Sequence, residues 1–197
     1  RESGTTTRPL EAREASGDVV WSVSVPSCSF DSCFLAVDAS GNLYLNTDEG
    51  LSSRTGSSGS ARWTTNTAKI ESIAIGTDGR LFGAGDPFAG NQPLHAIDMA
   101  TGAIAWTTTL PNGFSATATL LDAGRTTVYA IGRGGVIALN AQTGAVKWTV
   151  MGTCFGGSLG AIASDGTIYA TCDEDFHSQL NAFNPDGTSK WKLPLNS

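Results

Sequence analysis

Residues 172–179 read CDEDFHSQ, and Asp173, Glu174, Asp175 and His177 are the densest group of potential ligands or proton carriers in the chain. Alternating carboxylates of this kind could hold a hard cation, which makes Asp173 and Asp175 a candidate Ca²⁺ pair. The stretch lacks the glycine at the sixth position and the later bidentate glutamate of an EF-hand loop, so it does not follow that calcium pattern. His95 and His177 are the two histidines, and Cys28, Cys33, Cys154 and Cys172 show no C-x-x-C spacing, so a transition-metal site is not indicated. No G-x-S-x-G elbow occurs, and neither histidine stands in a recognisable nucleophile context. The residue types therefore give no catalytic assignment, and the chain is expected to be noncatalytic.

Composition narrows the partners. Lys and Arg number 12 against 18 Asp and Glu, for a net charge of −6, and no segment clusters basic residues that could neutralise phosphates. Nucleic acid is not an expected partner. No apolar run reaches the roughly 18 residues of a membrane-spanning helix. The opening RESGTTTRPLEAREASG begins with Arg, without Met, which predicts a processed or excised product whose upstream signal sequence would lie outside this stretch. An even number of cysteines leans toward disulfides and an extracytoplasmic compartment (periplasmic, cell-surface or secreted), although buried free thiols would also serve.

The elements that must position these residues are written in the tryptophans. Trp21, Trp63, Trp106, Trp148 and Trp191 are separated by 42, 43, 42 and 43 residues, so every tryptophan obeys one period. Between them the same local signals recur in the same order. A small apolar run comes first (CFLAV at 33–37, ESIAI at 71–75, ATATLL at 116–121, LGAIA at 159–163). A turn rich in Asp, Asn and Gly follows, then a strand carrying Tyr44, Phe82, Tyr129 or Tyr169. A third strand (LHAID, VIALN, LNAFN) and a glycine turn return the chain to tryptophan.

Four strands in about 42 residues make one antiparallel meander. One meander cannot bury enough apolar area to offset the entropy of ordering its backbone, so its faces must stack on those of its neighbours. Radially stacked four-stranded sheets form a β-propeller, and the small residues Ala36, Ala74, Ala116 and Ala161 suit innermost strands where blades converge. The predicted fold is all-β, a propeller of about four blades. A β-sandwich is the alternative, but it would not demand tryptophan at a fixed period.

The stretch AIDMATGAIAW at 96–106 resembles the tryptophan-docking repeat of the quinoprotein (PQQ-like) propellers, A-x-D-x-x-T-G-x-x-x-W, through Ala96, Asp98, Thr101, Gly102 and Trp106. ALNAQTGAVKW has Asn140 for the acidic residue, and AFNPDGTSKW has Asn184 and is one residue shorter. LSSRTGSSGSARW keeps Gly59 and Trp63 but neither the apolar strand nor the acidic residue. The resemblance implies docking roles for the five tryptophans, and a family containing quinone-dependent alcohol dehydrogenases as well as noncatalytic scaffolds. Such propellers close with seven or eight blades, of which four would be about half.

The dehydrogenases clamp their cofactor between a tryptophan and a disulfide of adjacent cysteines, and this chain has no Cys-Cys pair and a docking position for every tryptophan. PQQ is therefore not an expected cofactor. The predicted boundaries are a polar N-terminal tail or linker at 1–17 and a propeller domain at 18–197. Within it an outer strand at 18–25 precedes blades at about 26–66, 67–109, 110–151 and 152–197. That outer strand would lack its inner three, so the expected partner is a protein or further blades completing the ring, with four-bladed closure as the alternative.

On this map the second-to-third-strand connections carry Asp48 and Glu49, then Asp86, then Arg133, then Asp173, Glu174, Asp175 and His177. They would form an acidic face for a cation or a basic partner, unless they are ordinary solvated loops. Cys28 and Cys33 flank SFDS in one loop, while Cys154 enters the last blade and Cys172 ends its second strand, giving the candidate bridges Cys28–Cys33 and Cys154–Cys172.

Overall fold

The computed structural model describes residues 7–27, 34–47, 49–65, 70–85, 92–152, 160–174 and 177–195, with the backbone alone at 71, 172–174 and 177. The described residues contain β-strands and turns and no helix. They fall into two compact units: Arg1–Ile70 with Met99–Ala103, and Glu71–Asp98 with Ile104–Ser197.

In the first unit, β1 (Thr7–Arg13) pairs antiparallel with β2 (Val19–Pro26). β3 (Leu35–Val37), β4 (Leu43–Thr47), β5 (Gly50–Arg54) and β6 (Ala61–Thr65) follow as a four-stranded meander in sequence order. The second unit holds three more meanders. They are β7 (Ile70–Ile75) to β10 (Ile104–Thr109), with β8 (Arg80–Gly85) and β9 (Pro93–Asp98) between; β11 (Ser115–Leu121) to β14 (Val146–Met151), with β12 (Thr127–Arg133) and β13 (Gly135–Asn140); and β15 (Gly160–Ile162) to β18 (Ser189–Pro194), with β16 (Ile168–Glu174) and β17 (His177–Phe183). These are four propeller blades of the predicted kind.

Burial follows strand position. The central strands β4, β8, β9, β12 and β13 are buried nearly throughout, as strands covered on both faces must be, whereas β10 and β14 alternate exposed and half-buried residues. In the second unit one apolar cluster joins the second and third blades, with Phe82, Leu94 and Ala96 against Ala116, Val128 and Ile137. Another joins the third and fourth, with Tyr129, Ile131 and Val136 against Ile168, Ala170 and Phe183. The turns use the chemistry their residues supply. In DASGN, Asp38 accepts hydrogen bonds from the Ser40 and Asn42 backbone N–H groups, from Asn42 Nδ2 and from the Tyr44 hydroxyl. Burial pushes that carboxyl up, but the hydrogen bonds from Asn42, Tyr44 and Ser40 outweigh it and hold the group below the usual aspartate range.

One regularity escapes the sequence. Each tryptophan sits opposite a small residue on the third strand (Trp63 and Ser53, Trp106 and Ala96, Trp148 and Ala138, Trp191 and Ala182), and in each pair the register slips by one residue just before the indole. The extra residues are Arg62, Ala105, Lys147 and Lys190. A β-bulge at a fixed place bends the outer strand and re-aims the side chain that follows it.

The same device corrects two expectations. Residues 7–13, read as part of a polar tail, are a strand in which Ala12 faces Trp21 with the same slip before it. AREASGDVVW at 12–21 thus repeats the spacing of AFNPDGTSKW at 182–191, with Glu14, Gly17 and Trp21 in place. The outer strand at 19–26 therefore has one of the three inner neighbours it was expected to lack. The third strand of the first blade exists despite its sequence: β5 buries Leu51, Ser52 and Ser53, and its serines are satisfied by Ser52 Oγ donating to Leu45 O and Arg62 Nη1 donating to Ser53 Oγ.

Candidate functional site

The arrangement that recurs, and that could bind something, is built around the indoles. Trp21 Nε1 donates to Gly56 O at 2.8 Å and Trp63 Nε1 to Met99 O at 3.0 Å; Trp106 Nε1 donates to Ala141 O at 3.1 Å and Trp148 Nε1 to Pro185 O at 2.9 Å. Each acceptor lies in the third-to-fourth-strand turn of the following repeat. The rings lie against Gly59, Gly102, Gly144 and Gly187, where an added Cβ would stand 2.7 Å from the indole carbons. These glycines also have φ between +70° and +87°, so backbone conformation and close approach both require glycine there. The indoles of Trp63, Trp106, Trp148 and Trp191 also meet the aromatic of their own second strand, with centroid distances of 5.9 Å for Tyr44–Trp63 and Phe82–Trp106 and 5.8 Å for Tyr129–Trp148 and Tyr169–Trp191. Trp191, the last of the series, is 40% exposed, and Leu193 and Leu195 beside it are exposed as well.

The polar residues expected to form a loop face are placed as follows. Glu49 is exposed in the β4–β5 turn of the first unit, and Arg133 is exposed at the end of β12 in the second. Asp173 and Glu174 end β16 and His177 begins β17, with Glu174 opposite His177, so the described backbone on either side of this acidic segment belongs to a strand pair. The side chains of Asp173, Glu174, His177 and Cys172 lie outside the described residues, as do Asp48, Asp86, Asp175, Cys28, Cys33 and Cys154. Among the described residues no three His, Cys, Asp or Glu side chains come together as a metal would require, and no helix is long and apolar enough to cross a membrane.

His95, expected to be a packed or rim residue of a third strand, lies in β9 with 7% exposure, its Nδ1 2.9 Å from Thr107 Oγ1. Burial holds its pKa below the ordinary 6.5. Between the two values the unfolded chain binds a proton that the native state refuses, so stability falls as pH drops below 6.5. The limiting slope is about 1.4 kcal/mol per pH unit for one proton. Urea midpoints measured from pH 7.5 to 5 should show this acid loss, and His95→Gln should flatten that part of the curve; a variant with the unmodified pH profile would rule out His95 as its source.

A residue that sequence reasoning missed is Gln92, which is 1% exposed. Its Nε2 donates to Gly85 O and, at 3.3 Å, to Ala116 O, while its Oε1 accepts the Ala116 N–H at 2.5 Å. One amide thus ties the ends of β8 and β9 to β11.

Against known proteins, residues 10–197 match the family described as outer membrane protein assembly factor BamB. No curated protein sequence matches the chain. Among solved structures it resembles BamB from Moraxella catarrhalis, with a TM-score of 0.58, 19% identity, and coverage of 96% of this chain and 52% of that one. It also resembles the quinohemoprotein alcohol dehydrogenase of Comamonas testosteroni (TM-score 0.62, 16% identity, 79% of this chain and 34% of that one). A third is Kuenenia stuttgartiensis hydrazine synthase (TM-score 0.67, 10% identity, 86% of this chain and 51% of that one). At these identities the likeness is one of fold, and the chain spans about half or less of each.

Proposed function

This chain belongs to the family of the outer membrane protein assembly factor BamB, with its PQQ-like repeats, and from that membership we propose that it works as a noncatalytic binding or assembly module. The observation that carries this reading is the commitment of the indoles. Four of the five donate their N–H to a turn carbonyl of the next repeat, which supports the docking role the repeat pattern implies and disfavours their use in clamping a quinone. Trp191, with Leu193 and Leu195, has the same indole chemistry and is exposed among the described residues, which favours as its partner a further blade or a protein presenting an equivalent glycine turn. A net charge of −6 and the acidic residues written into the connections at 48–49, 86 and 173–175 favour a basic surface on a protein partner. Disulfides Cys28–Cys33 and Cys154–Cys172 and an extracytoplasmic site of action go with this reading, as the name of the family fits an outer-membrane setting.

The alternative is a fragment of a quinone-dependent dehydrogenase whose catalytic residues belong to other blades. Equilibrium titration of the chain with pyrroloquinoline quinone and Ca²⁺ separates the two. The module should give no saturable signal, and a micromolar complex would replace it with the enzyme reading.

A further inference from the structure

Between the third and fourth blades, inside the second unit, lies a cavity of about 300 Å³. Its apolar wall is formed by Val136, Val150 and Phe183, and Asn181 and Lys192 line it from the fourth blade. The repeat explains why the space exists. The residue before the small one opposite each tryptophan is Ser52, His95, Ile137 or Asn181, facing Thr64, Thr107, Thr149 or Lys192. In the third blade Ile137 fills this position inside an apolar cluster. In the fourth the shorter Asn181 stands there, and the wall opposite includes Gly132 and Gly135. No side chain can be added at either glycine, since a Cβ would fall 1.8 Å from Ser115 O or 1.9 Å from Val150 O.

Asn181 is 5% exposed, and among the described residues its Oδ1 is buried without a hydrogen-bond partner. His95 and Ser52, at the same register, each have one. Buried side-chain acceptors are normally satisfied, so an orphaned carbonyl oxygen on a cavity wall marks a place for a donor brought from outside. The volume matches the lower end of small-molecule sites, which combine apolar walls with one or two fixed polar groups. Phe183 lines the cavity, and Trp148 lies against Gly187, which lines it too. Aromatic neighbours favour an aromatic guest beyond simple burial.

The geometry points to a binding site in this cavity for a small aromatic molecule with a single O–H or N–H donor, a phenol or an indole, whose donor is accepted by Asn181 Oδ1. The test uses the unmodified chain. Titration with p-cresol, followed by the ¹H–¹⁵N resonances of Gly135, Val136 and Asn181, should give saturable shifts confined to the cavity walls. Toluene, equal in shape around the ring but without a donor, should bind about five- to tenfold more weakly, the usual worth of one hydrogen bond. In Asn181→Leu that preference should vanish. Absence of saturable shifts with p-cresol, equal binding of p-cresol and toluene to the unmodified chain, or a preference that survives in Asn181→Leu would each overturn the assignment.

Discussion

Trp106→Ala is expected to lower the unfolding free energy by about 3 kcal/mol, the lower part of the range for tryptophan truncation because the ring is half-buried. Three contacts end together. The ring leaves Phe82, with its centroid 5.9 Å away, and uncovers the face of Gly144; the Ala141 carbonyl loses the indole N–H. Arg80 Nη1, 3.3 Å from that carbonyl, softens the last loss. Trp106→Phe keeps much of the ring contact and loses the donor, so about 1 kcal/mol is expected. Trp191→Ala is the decisive comparison. It keeps a ring partner in Tyr169, and at 40% exposure its truncation should cost well under half as much as that of Trp106. Urea denaturation of the three variants measures the order. Equal costs at positions 106 and 191 would show that the next repeat contributes nothing, and the docking reading would fail with it.

That contrast rests on a period legible in the residues themselves, and the legible part has a physical reason. Tryptophan, the turn glycine and the alternating small and large residues of the central strands are each demanded by close packing between repeats, so they recur wherever a repeat has a neighbour. The parts that were not legible lack that demand. β1 is exposed along most of its length, so it carries no apolar alternation, and only the spacing of Ala12, Glu14, Gly17 and Trp21 across β1, its turn and β2 marks the repeat. β5 is buried, yet it is written with serines because their hydroxyls find partners inside the blade. The bulge before each tryptophan is occupied by Val20, Arg62, Ala105, Lys147 or Lys190, three basic and two apolar residues, because a bulge is a property of pairing count and not of side-chain type. At the polar segment around 173–177, cross-strand pairing of Glu174 with His177 carries the strands to the last described residue on either side. Composition marks polarity well, but it does not reveal how far a ladder extends into a polar segment.

Gln92 lies at the far end of this scale, since a lone glutamine in a Gly- and Pro-rich stretch gives no sign that it will be buried against a strand 24 residues on. Its replacement is the second large effect expected. In Gln92→Leu the apolar bulk is retained, but the Ala116 N–H and the carbonyls of Gly85 and Ala116 lose their side-chain partner. A buried polar group left unsatisfied costs about 1–3 kcal/mol, and the backbone N–H, with one hydrogen to place, has the least freedom to find another acceptor. A total loss of about 3 kcal/mol follows, with the damage confined to the join between β8–β9 and β11. Gln92→Glu makes the mechanism visible. Protonated glutamic acid can still accept from Ala116 N–H and donate to one carbonyl, whereas the carboxylate has no proton to donate and would face two carbonyl oxygens in a buried site. Burial and those oxygens raise the native pKa of such a group above its unfolded value near 4.3, so the native state binds the extra proton. Stability should then be closest to that of the unmodified chain at or below pH about 4.3 and fall as pH rises toward the native pKa, opposite in sign to the loss expected from His95. Urea midpoints for Gln92→Glu between pH 4 and 8, with the unmodified chain as reference at each pH, would show the gap between the two widening with pH; a constant gap would mean that the amide does not join the strands through hydrogen bonds.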